Sequence, residues 1–180
     1  MPVFLSILRG INVSGHRKVP MVELKTLYEE LNFKNITTYI QSGNVVFNAS
    51  NGKDLSKQIE QKISKKYNFD VPIIIRTVDE MQNVLNNNPF LKSKNIDLEK
   101  LHITYLADNP LSENLDKIKT YNYEPDLFHI IGKEIYLYCP NGYGNTKLNN
   151  AFFENKLKVT ATTRNWRTTN ELFKIMKTAR

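Results

Sequence analysis

Cysteine is all but missing from this chain. Cys139 is the only one, which excludes an intrachain disulfide framework and the small secreted scaffolds that depend on one. Histidine is scarce as well. His16, His102 and His129 lie far from each other and from Cys139, without the spacing that a zinc centre requires, so neither a metal nor a cofactor is expected. No stretch approaches the roughly 20 apolar residues of a membrane span. Met1-Pro-Val-Phe-Leu-Ser-Ile-Leu reaches Arg9 too soon for a signal peptide and has no basic residue ahead of its apolar run. Nothing resembling Gly-x-Ser-x-Gly surrounds a serine, and acids are scattered with no pair placed for acid–base work. The expectation is a soluble, cytoplasmic protein without a membrane partner.

What is present is enough to build a core. Of 180 residues, 41% are apolar and 24% charged, ordinary values for a globular protein of one domain or two small ones. The net charge of +7 is unevenly spread. From Gly144 onward eight Lys and Arg face two acids, Glu154 and Glu171, so this segment alone carries +6. Such a gradient draws anionic partners, unless it is simply a solvated face.

The element order reads as one unit written twice. Val3 to Arg9 is apolar at nearly every position, the pattern of a central strand covered on both faces. A polar loop runs to Val19, and Pro20 stands where a first helical turn tolerates it. Met21, Leu24, Leu27 or Tyr28, and Leu31 then recur at helical spacing. Ile36–Gln41 and Asn44–Phe47 flank Ser42-Gly43 as a hairpin. Asp54–Tyr67 is a helix with Leu55, Ile59 and Ile63 on one face. Val71–Arg76 is a strand whose proline marks a sheet edge, and Asp79 with Gln82 opens a short helix.

After a polar stretch from Pro89 to Lys100 the order restarts. Leu101–Leu106 is a strand and Ser112 opens a helix. Leu127–Ile131 and Glu134–Cys139 form a second hairpin, and Asn145–Leu157 is a helix with Leu148 and Phe152 inward. A short strand at Val159–Thr163 precedes a closing helix, Trp166–Lys177, with a Thr168…Glu171 capping signal. Each half has the βαββαβ order of a ferredoxin-like fold. The expected class is therefore α+β, with two tandem ferredoxin-like subdomains, each with a trailing helix, packed around a shared core. The boundaries fall at 1–88 and 101–180, joined by a linker at 89–100.

That topology collects polar loops at strand ends, where sites are favoured. In the first half it brings Arg9, Gly10, Asn12, Gly15, His16, Arg17 and Lys18 beside Gln41, Ser42, Gly43 and Asn44. Glycines allow close backbone approach, Asn and Ser give directional hydrogen bonds, and a helix start favours anions. The competing reading is that the glycines serve tight turns. In the second half, Asn141–Lys147 and Thr162–Arg167 leave strands at a common edge. Lys147, Thr163, Arg164 and Asn165 there would form an anion cradle, with Trp166 as a stacking surface or, on the other reading, a core anchor. Gly142-x-Gly144-x-x-Lys147 is neither a Walker A motif nor a dinucleotide fingerprint.

Two further classes are compatible with the sequence. Ser42 with His16 is the one conceivable nucleophile–base pair, which would make the protein an enzyme. Nucleic acid is a candidate partner through the basic segment, or by base stacking on Tyr105, Tyr136 and Tyr138. The strand around those tyrosines lacks the pattern of an RNA-recognition strand.

Leu8-Arg-Gly-Ile-Asn-Val-Ser-Gly15, Tyr39-Ile-Gln-Ser-Gly-Asn-Val-Val-Phe47 and Thr162-Thr-Arg-Asn-Trp166 closely resemble motifs of the bacterial domain-of-unknown-function family 1697. The resemblance extends over nearly the whole chain, including Lys147-Leu148 and Ala151-Phe-Phe153. It implies a cytoplasmic protein of two α+β subdomains and no assigned activity. Its motifs fall on Arg9, Gly10, Asn12, Val13, Gly15 and Met21, on Gln41, Ser42, Gly43 and Asn44, and on Thr163, Arg164, Asn165 and Trp166. Ser14 stands where the family usually has Gly. Oligomeric state is left open. The leading expectation is binding of a small anionic ligand, such as a nucleotide or phosphorylated metabolite, at these loops.

Overall fold

The structure is a computed structural model that describes residues 1–179. The chain divides into two compact units. The first comprises Met1–Asn83 with the chain from Glu171 onward, and the second comprises Val84–Asn170.

In the first unit, β1 (Val3–Leu8), α1 (Met21–Glu30), β2 (Lys34–Tyr39), β3 (Asn44–Asn48), α2 (Leu55–Tyr67) and β4 (Ile73–Thr77) lead into α3 (Val78–Asn86). The strands form one antiparallel sheet ordered β2-β3-β1-β4. β1 is buried along its whole length, as its unbroken apolar run requires, and β4 is an edge strand. Beneath α1 and α2 an aromatic cluster fills the core. Phe47 lies 4.6 Å from Phe33 and 5.3 Å from Tyr28, ring centre to ring centre. The buried Tyr28 hydroxyl meets Ser6 Oγ at 2.6 Å, which removes the cost of an unpaired polar group there.

The second unit repeats the order with β5 (Leu101–Leu106), α4 (Ser112–Ile118), β6 (Leu127–Ile131), β7 (Glu134–Tyr138), α5 (Asn150–Leu157), β8 (Ala161–Asn165) and the start of α6 (Trp166–Thr178), whose residues from Glu171 onward belong to the first unit. Its sheet order, β6-β7-β5-β8, is the same. Leu106, Leu137, Cys139, Leu148, Phe153 and Ala161 form its helix-side core. Two short 3-10 turns, Pro89–Lys92 and Leu98–Lys100, precede β5, and the first buries Phe90.

Three helix starts differ from the sequence reading. α3 is opened by a capping box two residues earlier than Asp79–Gln82: Thr77 N donates to Glu80 Oε2 (2.8 Å) and Glu80 N to Thr77 Oγ1 (3.2 Å). α6 is capped by Asn165, whose Oδ1 accepts from Thr168 N at 2.7 Å, and not by Thr168. α5 starts at Asn150 because Asn149 Oδ1 accepts from Phe152 N (2.9 Å). Tyr143–Asn145 is a separate 3-10 turn, and Phe153, not Phe152, is the fully buried phenylalanine.

The halves also share a feature that their sequences hide. Arg76 of β4 pairs across from Leu5, and Arg164 of β8 pairs across from Ile103. Each arginine is buried, at 1% and 8% exposure. Each is followed by the residue that caps the next helix, Thr77 or Asn165.

Candidate functional site

The first unit builds its loop from the backbone outward. As β1 ends, Leu8 N donates to Gly43 O (2.9 Å) and Arg9 N to Pro72 O (3.0 Å), fixing the loop's root against two neighbours. Asn12 N donates to Arg17 O (3.1 Å) and His16 N to Val13 O (2.9 Å). The loop is thus a miniature hairpin with Ser14 and Gly15 at its tip. Both tip residues are left-handed, at φ +50° and +76°, as a two-residue type I′ turn demands. Gly at position 14 would meet that demand without the strain Ser14 carries.

Asn12 is the rivet. Its Nδ2 donates to Val19 O (3.0 Å) and Gln41 O (2.8 Å), and its Oδ1 accepts from Val19 N (2.8 Å). It therefore ties the loop to the turn between β2 and β3. In that turn the buried Asn44 donates through Nδ2 to Tyr39 O (3.0 Å) and Ser42 Oγ (3.1 Å). Gly43 has φ +85°, and a Cβ there would lie 2.7 Å from Ile11 Cδ1 and 2.8 Å from Leu8 Cβ. The structure thus brings the sequence-identified residues 9–15 and 41–44 together. It occupies Asn12, Gly43 and Asn44 in holding the loops.

What faces solvent is basic. Gly15, His16, Arg17 and Lys18 are exposed, and no acid occurs from Arg9 to Val22. Arg17 Nη1 donates to the carbonyl of Asp70 at 3.0 Å. Among the described residues no carboxylate forms an ion pair with Arg17 or Lys18. α1 begins just beyond, at an N-terminus that no side chain caps, leaving N–H groups that favour negative charge. Two exposed aliphatics flank the Asn12–Gln41 link: Val13, and Ile40 at 47% exposure. Ile40 has φ +51°, a conformation that β-branched residues rarely accept and one that sequence patterns do not announce. Among the described residues no hydrogen bond is found between Ser42 and His16.

In the second unit the candidate residues divide. Thr163 Oγ1 donates to Asn150 Oδ1 (2.7 Å) and meets Thr104 Oγ1 at 2.7 Å. Arg164 Nη1 donates to Thr162 Oγ1 (3.0 Å) and Thr163 O (2.9 Å). Burial lowers its pKa to about 10, so it remains a cation at neutral pH. Asn165 caps α6, and Trp166 is buried, its carbonyl accepting from Asn170 Nδ2 (2.7 Å). Lys147 is exposed and lies elsewhere, its Nζ 5.9 Å from the centre of the Tyr123 ring. Next to it, Thr146 is tied to Asp126 Oδ2 at 2.7 Å.

His102, which pairs across from Asn165, stacks on Tyr143 at 4.8 Å, and burial lowers its pKa. Tyr105 and Tyr136 are enclosed, their hydroxyls engaged by Thr169 (3.0 Å) and Val84 O (3.2 Å), so neither offers a face for base stacking. Among the described residues no group of three His, Cys, Asp or Glu side chains converges to hold a metal. Among the described residues no helix is long and apolar enough to cross a membrane.

Two antiparallel ferredoxin-like sheets with strand-end polar loops define an α+β protein of two subdomains. The chain belongs to the family described as protein of unknown function (DUF1697), whose model matches residues 1–136. That match takes in the loop of residues 9–18 and the turn of residues 41–44; Lys147 and Thr163–Trp166 lie beyond it. The fold is similar to the solved structure of a conserved bacterial protein from Streptococcus pneumoniae, with a TM-score of 0.76 and 21% identity. The alignment covers 97% of this chain and 98% of that one. No curated protein matches the chain.

Proposed function

We propose that the first unit binds a small anion, a nucleotide or phosphorylated metabolite, on the loop of residues 9–18 with the turn of residues 41–44. The observation that carries this reading is the pairing of an exposed, acid-free basic loop with a rigid left-handed backbone. Gly10, Asn12, Ser14, Gly15 and Arg17 all have positive φ, and backbone held in such sparsely populated regions concentrates at ligand clamps. Asn12 pre-organises the loop, so little ordering cost remains for binding. Arg17 and Lys18 supply charge, and Gln41 and the tip N–H groups supply direction. In the second unit Lys147 is the exposed cation of the reading, while Arg164 contributes through its field.

The test is an NMR titration of the ¹⁵N-labelled protein with pyrophosphate, ATP and short oligonucleotides, at low and high salt. Saturable shifts at Gly10–Lys18 and Gln41–Asn44 with a small anion are expected. In an Arg17→Ala/Lys18→Ala variant, affinity should fall roughly tenfold or more, the loss of one or two charge-assisted hydrogen bonds. Absence of saturable shifts in these loops, or a variant that binds as well, refutes it. A response to oligonucleotides alone, erased by salt, transfers the function to nucleic-acid binding.

A further inference from the structure

The two sheets treat their outer hairpin strands differently. In the first unit the edge strand β2 is blunted. Its register slips between Lys34 and Thr37, Asn35 is left-handed at φ +49°, and Lys34 is exposed. A bulge and a lysine are the usual devices against edge-to-edge pairing. In the second unit β6 has neither. Leu127-Phe-His-Ile-Ile131 pairs with β7 in unbroken register, carries no charged residue, and exposes Leu127 and Ile131 at 43% and 45%. It pairs on one side only.

Beside this edge lies a cavity of about 450 Å³ whose lining includes Leu115, Ile118, Phe128 and Ile130 together with the polar Lys119 and Asn122. α4, with seven residues against ten in α1, leaves Phe128 and Ile130 half-covered. The same two residues control the free backbone edge. Gly132-Lys133 closes a two-residue hairpin, so its flanking pair, Ile131 and Glu134, exchanges both hydrogen bonds. By the alternation of antiparallel pairs, the N–H and C=O groups of Phe128 and Ile130 then point away from β7.

We infer that β6 is a self-association edge, pairing antiparallel with β6 of a second copy about a two-fold axis through His129. Among registers that match the outward backbone groups, this one alone pairs all five residues. Phe128 of each copy exchanges hydrogen bonds with Ile130 of the other, and these side chains close over the two cavities. Leu127 meets Ile131, apolar on apolar. Charge is complementary near the ends: the hairpin turn of one copy carries Lys133, and the Tyr123–Asp126 turn that leads into β6 of the other carries Glu124 and Asp126. An edge of five residues spans about 17 Å. A strip of that length and about one strand spacing wide covers well under the roughly 800 Å² per partner of a standard stable interface, so the association is reversible and concentration-dependent.

The register is tested by cysteine cross-linking in the full chain, whose single native cysteine, Cys139, is buried. At the axis His129→Cys brings two Cα atoms to roughly 4.5 Å, within disulfide range, whereas the two Ile131→Cys positions lie about 13 Å apart. Under mild oxidation the His129→Cys protein is expected to dimerise at least about tenfold faster than the Ile131→Cys protein. His129 packs on Phe90, ring centres 5.1 Å apart, so a second pair guards against loss of folding there. A mixture of Leu127→Cys and Ile131→Cys proteins should give the mixed dimer in preference to either self-dimer. Equal rates for the two single variants, together with no preference for the mixed dimer, overturn the proposal. So does register-independent cross-linking of a protein that sediments as a dimer, since another face would then join the copies.

Discussion

Replacing Gly43 by alanine tests whether the loop and the turn are locked together sterically. Two costs meet at this position. At φ +85° an L-residue pays roughly 1–2 kcal/mol for left-handed backbone. Its Cβ would also enter the space of Ile11 Cδ1 at 2.7 Å and Leu8 Cβ at 2.8 Å. Leu8 cannot yield, because its own backbone is held in β1. Overpacking of that kind costs roughly 1–3 kcal/mol. Gly10→Ala is the control: φ is +74°, but nothing lies within 4 Å of the added carbon. The control therefore pays the backbone cost alone, and the difference between the variants isolates the clash. With a urea slope of roughly 1–3 kcal/mol per molar, the two midpoints, read by far-UV circular dichroism, should differ by about 1 M. Hydrogen exchange gives a local reading at the Leu8 amide, which donates to Gly43 O at 2.9 Å, and should accelerate in Gly43→Ala only. Equal midpoints and equal Leu8 exchange would show that the turn moves freely over Ile11, and the steric account would fail.

Asn12→Ala removes three hydrogen bonds and should cost about 2–3 kcal/mol, with faster amide exchange at Val19; unchanged exchange there would refute its bridging role. Ser14→Gly relieves a left-handed residue and should stabilise by about 0.5–1 kcal/mol, net of the entropy glycine loses, read as a raised urea midpoint. Thr77→Ala and Asn165→Ala should each lose about 1 kcal/mol as helix caps, while Asp79→Ala and Thr168→Ala lose less, in the same denaturation series. Burial pushes the Cys139 thiol from 9.0 up to about 11. The unfolded chain therefore deprotonates first, and stability should fall as pH rises from about 9 to about 11. Cys139→Val should show a shallower fall, and the native thiol should resist a disulfide reagent at pH 8 until the chain unfolds.

The doubling of the fold was legible because hydrophobic period survives where identity does not. The apolar run of β1 and the alternating hairpins each mark a strand without reference to any partner. The helix caps were misplaced for a reason common to both halves. A cap is ordinarily sought in a loop, but here the last residue of an edge strand does the work, with Thr77 ending β4 and Asn165 ending β8. Ile73-Ile-Ile-Arg-Thr77 and Ala161-Thr-Thr-Arg-Asn165 look unrelated until the ladders set Leu5 against Arg76 and Ile103 against Arg164.

The loop of residues 9–18 shows where residue type stops being informative. Asn12, Gly43 and Asn44 have the chemistry of ligand contacts, and hydrogen bonds tie their loop and turn together. Hydrogen-bonding capacity read from a sequence does not say whether backbone or ligand will use it. Here the backbone does, at Val19, Gln41 and Tyr39. Conversely, nothing in the residue type of Ile40 or Ser14 announces positive φ, since handedness is imposed by closing the loop. On the proposed reading the labour is divided: the residues that a sequence motif displays most plainly hold the frame, and ligand contact falls to the exposed Arg17, Lys18 and Gln41. Charge reversal at Arg17 and Lys18 should accordingly leave the fold's stability nearly unchanged while altering anion affinity, whereas Asn12 and Gly43 variants should lose both together.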